Sequence, residues 1–232
     1  KKMEMIIPRT AHPAFDKAGH YFGIKVIHCD LTDDFRVDIK KMEDLINSNT
    51  ILLVGSAPSY PHGVVDPIQK IAKLALEHNI LLHVDACVGG MLLPFAKKLD
   101  YDIPNFDFQV DGVTSMSVDL HKYGYAAKGA SVVLYKNKEL RRKQFFVYTE
   151  WPGGIYASPS MGGTRPGGAI AAAWAVMNYL GEEGYLKIVK VVMETAKKII
   201  KGVNAIDDIH IVSNPDASIL AIASNTLDVF VL

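Results

Sequence analysis

Length, composition and charge place this chain among the globular proteins and exclude several other classes. It has 232 residues, of which 49% are hydrophobic and 22% charged, which suffices for one large domain and a piece of a second and is too apolar for a disordered chain. Lys plus Arg and Asp plus Glu each total 25, so no net charge favours nucleic acid or an anionic membrane surface as a partner.

Along the first two thirds of the chain, short β-like runs alternate with amphipathic helices, a pattern typical of a mainly parallel sheet covered on both faces. The predicted strands cover residues 5–7, 25–27, 51–54, 81–85, 113–117 and 131–135. Helices are predicted over 13–22, from an N-cap at Asp38 to 46, and after Asp66, which would cap a helix that Pro67 opens.

The last third of the chain is predicted to be helical and then mixed. A helix over 138–146 leads into a loop rich in glycine and proline over 151–168, and a loop of that length in a compact domain is more often functional than a linker. Two helices over 169–180 and 183–203 bridge to a small α+β unit that begins near Ile209. We therefore expect an α/β protein with a large domain over 1–182, followed by a bridging helix and the start of a small α+β domain over 183–232.

Cysteine content and apolar runs limit the cellular setting. Two cysteines, Cys29 and Cys87, are too few for a disulfide scaffold, so we expect both to be buried thiols in a reducing compartment. The longest apolar stretch, 169–180, is shorter than the roughly 20 residues that span a bilayer. The chain starts without an initiator methionine or signal peptide and stops within an apolar alternation, so we expect both ends to be cut edges of a longer protein.

Several side chains that can take part in binding or catalysis lie at the carboxyl ends of the predicted strands, where ligands bind in such sheets. His12 follows the first strand, Ser56 follows the third and Asp85 ends the fourth, while His121 and Lys122 follow residues 113–117. A strand-end acid and a His-Lys pair are how pyridoxal phosphate enzymes hold their cofactor, because the lysine forms a Schiff base and the carboxylate pairs with the pyridinium nitrogen. The residues therefore predict one active site that binds pyridoxal phosphate.

Five segments in order closely resemble the sphingosine-1-phosphate lyases, and the resemblance covers essentially the whole chain. The segments are TAHPAFDKA (10–18), GSAPSYPHG (55–63), HVDAC (83–87), HKYGYAAKG (121–129) and GGIYASP (153–159). These lyases belong to the fold-type I, decarboxylase-like group of pyridoxal phosphate enzymes, so the resemblance implies a transferase-like large domain. It also implies a retro-aldol cleavage of the C2–C3 bond of a phosphorylated long-chain base, which releases phosphoethanolamine and a fatty aldehyde.

The resemblance implies a role for each cofactor-binding residue. Lys122 would form the Schiff base, and Asp85 would keep the pyridine nitrogen protonated. His12 would stack on the ring face, and His121 would bind the cofactor phosphate. Ser56 would reach the phenolic oxygen, with a plain turn serine as the alternative.

Further roles follow from the same resemblance. Lys128 and Tyr60 are expected to act near the reacting atoms, and the alternative for Lys128 is a phosphate-side or surface lysine. Ser158 or Ser160, together with Arg165, would contact phosphate across the interface of a homodimer with shared active sites, and the alternative is a rigid interface loop. The implied location is the endoplasmic reticulum membrane facing the cytosol in a eukaryote, with membrane contact outside this sequence, or the cytoplasm in a bacterium. No metal ligand is predicted.

Two rival functions stay open at this point. An amino-acid decarboxylase of the same group would use Asp85 and Lys122 on a substrate with an α-carboxylate, but segments 60–63 and 123–128 resemble the lyases more closely. A noncatalytic scaffold subunit would keep only the fold. The presence of Lys122 and Asp85 together with His12 and His121 argues against that reading.

Overall fold

The computed structural model describes residues 2–228, and its centre is a six-stranded sheet in the order β2-β1-β3-β4-β5-β6. The strands are β1 (Glu4–Pro8), β2 (Lys25–Cys29), β3 (Thr50–Ser56), β4 (Leu81–Asp85), β5 (Ser115–Asp119) and β6 (Ser131–Tyr135). Strands β1 to β5 pair in parallel, and β6 runs antiparallel to β5. This confirms the predicted α/β class with a mainly parallel sheet.

Helices connect the strands and cover the sheet. They are α1 (Ala14–Phe22), α2 (Ile39–Leu45), α3 (Ile68–Glu77), α4 (Leu93–Lys98), α5 (Lys138–Arg142) and α6 (Gly167–Val203), with a 3₁₀ helix over Gly89–Met91. Helix α3 packs closely on β3, because a Cβ atom at Gly55 would lie 2.6 Å from Cδ1 of Ile68 and 2.8 Å from Cδ1 of Ile71. Glycine in the strand therefore permits the close helix–strand approach that fixes the end of β3.

The order and register of the strands fix the position of the site. The chain leaves β1 toward β2 on one side and returns through β3 on the other, so a crevice opens beyond the carboxyl ends of β1 and β3. In the parallel register, Ser56 pairs with Asp85 and Asp85 pairs with Ser117. Three polar residues from neighbouring strands thus lie at one level, directly beside the crevice.

Two helix caps were predicted, and the structure confirms one of them. Asp38 accepts hydrogen bonds from two backbone N–H groups in the first turn of α2. The prediction for Asp66 is wrong, because this fully buried carboxylate accepts from the backbone N–H groups of Val37 and Ser56 at 2.9 and 2.8 Å, and Pro67 occupies the cap position of α3. Asp66 therefore joins two separate segments of chain instead of beginning a helix.

The region after β6 differs from the prediction in two respects. The helix predicted to reach 146 ends at Arg142, and the chain then forms a hairpin of β7 (Phe146–Trp151) and β8 (Gly154–Ser158) that includes the first part of the predicted loop. The aromatic and β-branched residues at 145–149 explain the change, since they favour an extended strand. Most hairpin side chains are exposed, so the hairpin projects from the described fold.

The end of the chain follows the prediction more closely. Helix α6 is interrupted at Gly181, whose φ of +56° and ψ of −175° are accessible to glycine, so the two predicted helices are confirmed with their junction at this residue. Beyond α6, β9 (Ile209–Ile211) and β10 (Ile222–Ser224) pair antiparallel. The last four residues of the predicted unit 183–232 lie outside the described residues. None of the helices within 2–228 combines the length and apolar character needed to cross a bilayer.

Candidate active site

A cavity of about 540 Å³ lies at the carboxyl ends of β1, β3, β4 and β5. Its wall includes the predicted residues Lys122, Asp85, His12, Ser56 and Tyr60. The rest of the wall consists of Thr10, Ala14, Phe15, Pro58, His83, Cys87, Val88, Ser117, Asp119 and Val133. Residues spread over more than 100 positions of the sequence therefore meet in one crevice, as the parallel topology predicts.

Lys122 is held by an acid that ends β5. Its Nζ lies 2.8 Å from Oδ2 of Asp119, whose side chain is only 12% exposed. Burial lowers the pKa of Lys122, but the hydrogen bond and charge of Asp119 outweigh burial, so this pKa is raised. Burial likewise raises the pKa of Asp119, and its contacts with Lys122 and Ser131 outweigh that effect and lower it. Both shifts describe one ion pair at the cavity wall.

The turn that carries Lys122 is fixed from two sides. The hydroxyl of Tyr185 on α6 donates to the carbonyl of Gly124 at 2.8 Å, and the hydroxyl of Tyr123 lies 2.5 Å from Oγ of Ser218. A Cβ at Gly124 would lie 2.4 Å from the carbonyl oxygen of Leu120. The turn is therefore tight, and both α6 and the segment near Ser218 hold it in place.

His121 lies behind Lys122 and does not line the cavity in the described chain. Its Nδ1 is 2.6 Å from the carbonyl oxygen of Ala130, and because a carbonyl only accepts, Nδ1 carries a proton. Its Nε2 lies 3.7 Å from Oδ2 of Asp119. The role of His121 in binding the cofactor phosphate stays a prediction.

Asp85 ends β4 and is oriented by two hydrogen bonds. Its Oδ1 accepts from the backbone N–H of Cys87 at 3.0 Å and from Oγ of Ser117 at 3.1 Å. Burial, followed by the charge of Asp85, raises the pKa of the Cys87 thiol to about 12. The expectation of two buried thiols holds for Cys29 and is wrong for Cys87, which is partly exposed beside the cavity.

His12 stands at the opposite side of the crevice, after β1. Its Nδ1 accepts from the backbone N–H of Ala14 at 3.1 Å, and this hydrogen bond fixes the orientation of the ring. The ring is exposed and lines the cavity. This position leaves its flat face available to a ligand.

The loop after β3 forms the rim of the cavity. Tyr60 is 70% exposed there and also borders an apolar cavity of about 370 Å³ that is lined by Val88, Lys122, Tyr123, Tyr125 and Ile219. Oδ2 of Asp216 accepts from the backbone N–H of Val65 at 2.7 Å and from Nη1 of Arg36 at 2.8 Å. A segment from beyond α6 thus holds the rim loop against the large domain.

The structure does not bring Lys128 or Ser158 into the cavity of Lys122. Lys128 borders a separate cavity of about 510 Å³ together with Arg165 and apolar residues of α6, among them Ile170 and Trp174. Ser158 is buried at the end of the hairpin, where its Oγ donates to the carbonyl of Ser160. Within this chain, the predicted site residues therefore do not all meet in one cavity, since Lys128 and Arg165 border a second cavity and Ser158 lines neither of the two.

Four polar residues of the cavity wall were not predicted to be functional. They are Thr10, His83, Ser117 and Asp119. Asp119 lies three residues before Lys122, and Ser117 and Asp119 alternate with apolar residues along β5, so a strand with one polar face was a usable signal. His83 lies two residues before Asp85 and points to the same face of β4 for the same reason.

Comparisons with known proteins show which families this chain is similar to. Residues 1–223 match the family described as the pyridoxal-dependent decarboxylase conserved domain. The chain is 52% identical to a sphingosine-1-phosphate lyase of Arabidopsis thaliana and 54% identical to one of Dictyostelium discoideum, over 98% and 97% of this chain and 42% and 43% of those proteins. A solved sphingosine-1-phosphate lyase of Burkholderia pseudomallei has a TM-score of 0.96 and 43% identity, over 99% of this chain and 52% of that chain. This chain thus spans about two fifths of the length of the curated relatives it matches.

Proposed function

The chain belongs to the pyridoxal-dependent decarboxylase family, and we propose that it forms part of a pyridoxal phosphate enzyme that cleaves the C2–C3 bond of phosphorylated sphingoid bases. The products are phosphoethanolamine and a long-chain aldehyde. The observation that carries the proposal is that Lys122 and Asp85 border one cavity at the strand ends, in a chain similar over nearly its whole length to sphingosine-1-phosphate lyases.

The groups around the cavity fit pyridoxal phosphate. Lys122 offers an amine for the cofactor aldehyde, Asp85 a carboxylate for the ring nitrogen, His12 a flat ring, and Ser56 a hydroxyl for the phenolic oxygen. The volume of about 540 Å³ lies within the usual range for ligand sites. When bound, the cofactor supplies an electron-withdrawing ring that stabilises the negative charge left at C2 as the C2–C3 bond breaks.

Proton transfer at Lys122 depends on Asp119. The amine acts as a nucleophile only after it loses its proton, and Asp119 opposes this loss while it holds the ammonium at 2.8 Å. Asp119 therefore sets the pH at which Lys122 reacts. We assign to Tyr60 the removal of the proton from the 3-hydroxyl of the substrate, because the hydroxyl of Tyr60 is exposed at the rim of the same cavity.

The surface beside Lys128 and Arg165 supports a homodimer. Ile170 and Trp174 on α6 are 64% and 69% exposed and lie beside Lys128 and Arg165, and an apolar surface of this kind favours association with another protein surface. Two-fold dimers are the commonest closed assembly. We therefore assign Ser158 and Arg165 to a phosphate site that includes His121 of the partner subunit, and we assign Lys128 to the neighbourhood of the reacting atoms.

Subunit mixing tests this assignment. A chain with Lys122→Ala is combined with a chain that carries Ser158→Ala and Arg165→Ala, and each parent dimer must be inactive alone. If the loop acts in the partner's site, the mixed dimer has one site with neither defect, and activity partly returns. Verified heterodimers without activity contradict the assignment.

The chemistry of the substrate also bears on location. A long hydrocarbon chain partitions into lipid, so we propose that the enzyme works at a membrane surface, which in a eukaryote is the cytosolic face of the endoplasmic reticulum and in a bacterium is reached from the cytoplasm. Fractionation of cells that express the full-length natural chain tests this. Recovery of the active enzyme from a different compartment contradicts it.

Product analysis with the full-length natural chain tests the reaction itself. We expect a phosphorylated sphingoid base to yield a long-chain aldehyde and phosphoethanolamine, while glutamate and aromatic amino acids yield no carbon dioxide. Carbon dioxide from an amino acid, without aldehyde from the sphingoid base, would identify a decarboxylase. A protein that neither binds pyridoxal phosphate nor turns over any of these substrates would be a noncatalytic subunit.

A further inference from the structure

Four polar groups on β4 and β5 form a continuous chain of hydrogen bonds that ends at Asp85. Oγ of Ser115 lies 2.8 Å from Nδ1 of His83, and Nε2 of His83 lies 3.2 Å from Oγ of Ser117. Oγ of Ser117 in turn lies 3.1 Å from Oδ1 of Asp85. The residues belong to paired strands, since His83 is opposite Ser115 and Asp85 is opposite Ser117.

The protons available on these groups allow only one direction of donation along the series of hydrogen bonds. A carboxylate only accepts hydrogen bonds, so Ser117 donates its one hydroxyl proton to Asp85. Oγ of Ser117 must then accept from Nε2 of His83, which places the imidazole proton on Nε2. Nδ1 of that neutral ring is an acceptor and receives the hydroxyl proton of Ser115. Within this directed row of hydrogen bonds every donor has one acceptor, and the row delivers its last proton to Asp85. The thiol of Cys87 lies beside the row and also interacts with the side chains of Ser117 and Asp85.

The surroundings of His83 favour this neutral ring. Burial lowers the pKa of His83, and the charge of Asp85 opposes this only in part. The ring of Phe15 packs against the ring of His83, with the two ring centres 5.9 Å apart in an edge arrangement. A neutral ring carries one N–H proton, so one ring nitrogen donates to Ser117 while the other accepts from Ser115, as the directed row of hydrogen bonds requires.

We infer that His83 and Ser117 are positioning residues that hold the side chain of Asp85 turned toward the cavity. This inference rests on the proposed function for its purpose, because a carboxylate held in this position pairs with the protonated ring nitrogen of the cofactor. Ser117 touches Asp85 directly, and His83 acts through Ser117 by orienting its hydroxyl. Neither residue is needed to contact the substrate.

The size of the effect follows from the bond that is lost. A hydrogen bond to a charged group contributes enough that its removal lowers cofactor affinity about 10-fold to 100-fold. Ser117→Ala removes the donor, whereas Ser117→Thr keeps a hydroxyl on the same atom position. Ser48→Ala is a matched control, because Ser48 is exposed in the turn before β3.

The first test uses the protein without cofactor. In ¹⁵N-histidine spectra at pH 7, with the signals of His83 assigned by their loss in His83→Gln, we expect Nε2 to be protonated and Nδ1 to be an acceptor. We expect His83 to keep this tautomer in Ser117→Thr. In Ser117→Ala we expect the ring to populate both tautomers. A wild-type His83 that is protonated on Nδ1 overturns the inference, whatever the enzyme's substrate is.

The second test uses the full-length chain with pyridoxal phosphate. We expect Ser117→Ala to bind the cofactor about 10-fold to 100-fold more weakly and to shift the ¹⁵N signal of the cofactor ring toward the unprotonated form, while Ser117→Thr and Ser48→Ala behave as wild type. Equal affinity and an equal ring signal in Ser117→Ala and Ser117→Thr overturn the inference. If wild type binds no cofactor, the proposed function fails, and the histidine spectra alone decide whether the directed row exists.

Discussion

Replacement of Asp119 by asparagine tests the ion pair that governs Lys122. The substitution keeps the size of the side chain and removes the charge that holds the ammonium at 2.8 Å. Because Asp119 raises the pKa of Lys122 against the effect of burial, its loss lowers that pKa. At a pH below the wild-type pKa, a larger fraction of Lys122 is then neutral and able to react.

The exposure of the two side chains sets the magnitude. Asp119 is 12% exposed but Lys122 is 37% exposed, so solvent screens the pair and its contribution stays near that of a well-placed surface pair, about 1 kcal/mol. An energy of this size corresponds to a roughly fivefold change in an equilibrium constant. We therefore expect the neutral fraction of Lys122 at pH 8 to rise roughly fivefold in Asp119→Asn.

Chemical labelling of the protein without cofactor measures this fraction. The rate at which trinitrobenzenesulfonate modifies Lys122, followed by peptide mass spectrometry, is expected to rise roughly fivefold in Asp119→Asn. The rate at Lys136 serves as an internal reference, and Asp33→Asn, which removes an exposed carboxylate, serves as the control variant. An unchanged or slower rate at Lys122 in a folded Asp119→Asn protein refutes the reasoning.

Three more substitutions give distinct expected results. Lys122→Ala abolishes the borohydride-reducible cofactor adduct and Lys136→Ala keeps it, so an adduct mapped to another lysine contradicts the assignment. Lys128→Ala retains pyridoxal phosphate but cleaves the phosphorylated base about 10²–10⁴-fold more slowly, and near wild-type turnover excludes a catalytic role. Burial raises the pKa of Asp66 from 3.8 to about 6, so the native state holds this proton more tightly and ionisation destabilises the fold as pH rises from about 4 to 6. Urea unfolding should therefore show that the stability deficit of Asp66→Asn shrinks by about 2 kcal/mol between pH 4 and pH 7, and a deficit that grows or stays constant contradicts this sign.

The parts of the fold that could be predicted are those fixed by local patterns. The strand cores at 5–7, 51–54 and 81–85 are short apolar runs between turn signals, and their alternation with helices allows few topologies. The cavity that joins Lys122 and Asp85 then follows, because parallel strands place their carboxyl ends at one edge. The spacing of the apolar residues and the parallel topology were sufficient to predict these strands and the cavity.

The parts that could not be predicted depend on contacts between distant residues. Asp66 before a proline has the local pattern of a helix cap, but its partner Val37 lies 29 residues away in sequence, and burial against that segment overrides the local preference. The hairpin at 146–158 contains glycines that also suit an irregular loop, and only strand pairing distinguishes the two. Asp119 is different, since its contact with Lys122 spans three residues and was accessible from the sequence.

A single geometric rule explains why the unpredicted residues belong together. In β5, Ser115, Ser117 and Asp119 alternate with Met116 and Val118, whose side chains are 7% and 5% exposed, so one face of the strand is polar and the other joins the core. In β4, His83 and Asp85 repeat the two-residue spacing, and the register sets His83 beside Ser115 and Asp85 beside Ser117.

The backbone groups of the paired strands are largely used by the sheet, so the polar side chains on that face bond mainly with each other, and Asp85 also accepts from the backbone N–H of Cys87. His83, Ser115 and Ser117 bond among themselves and end at Asp85, whereas Asp119 pairs with Lys122. The same alternation that divides the sheet into a core face and a site face therefore assigns the two carboxylates different tasks. Asp85 is held by neutral donors and stays directed at the cavity. Asp119 is paired with the ammonium group of Lys122, which must leave this ion pair and lose its proton before Lys122 can react.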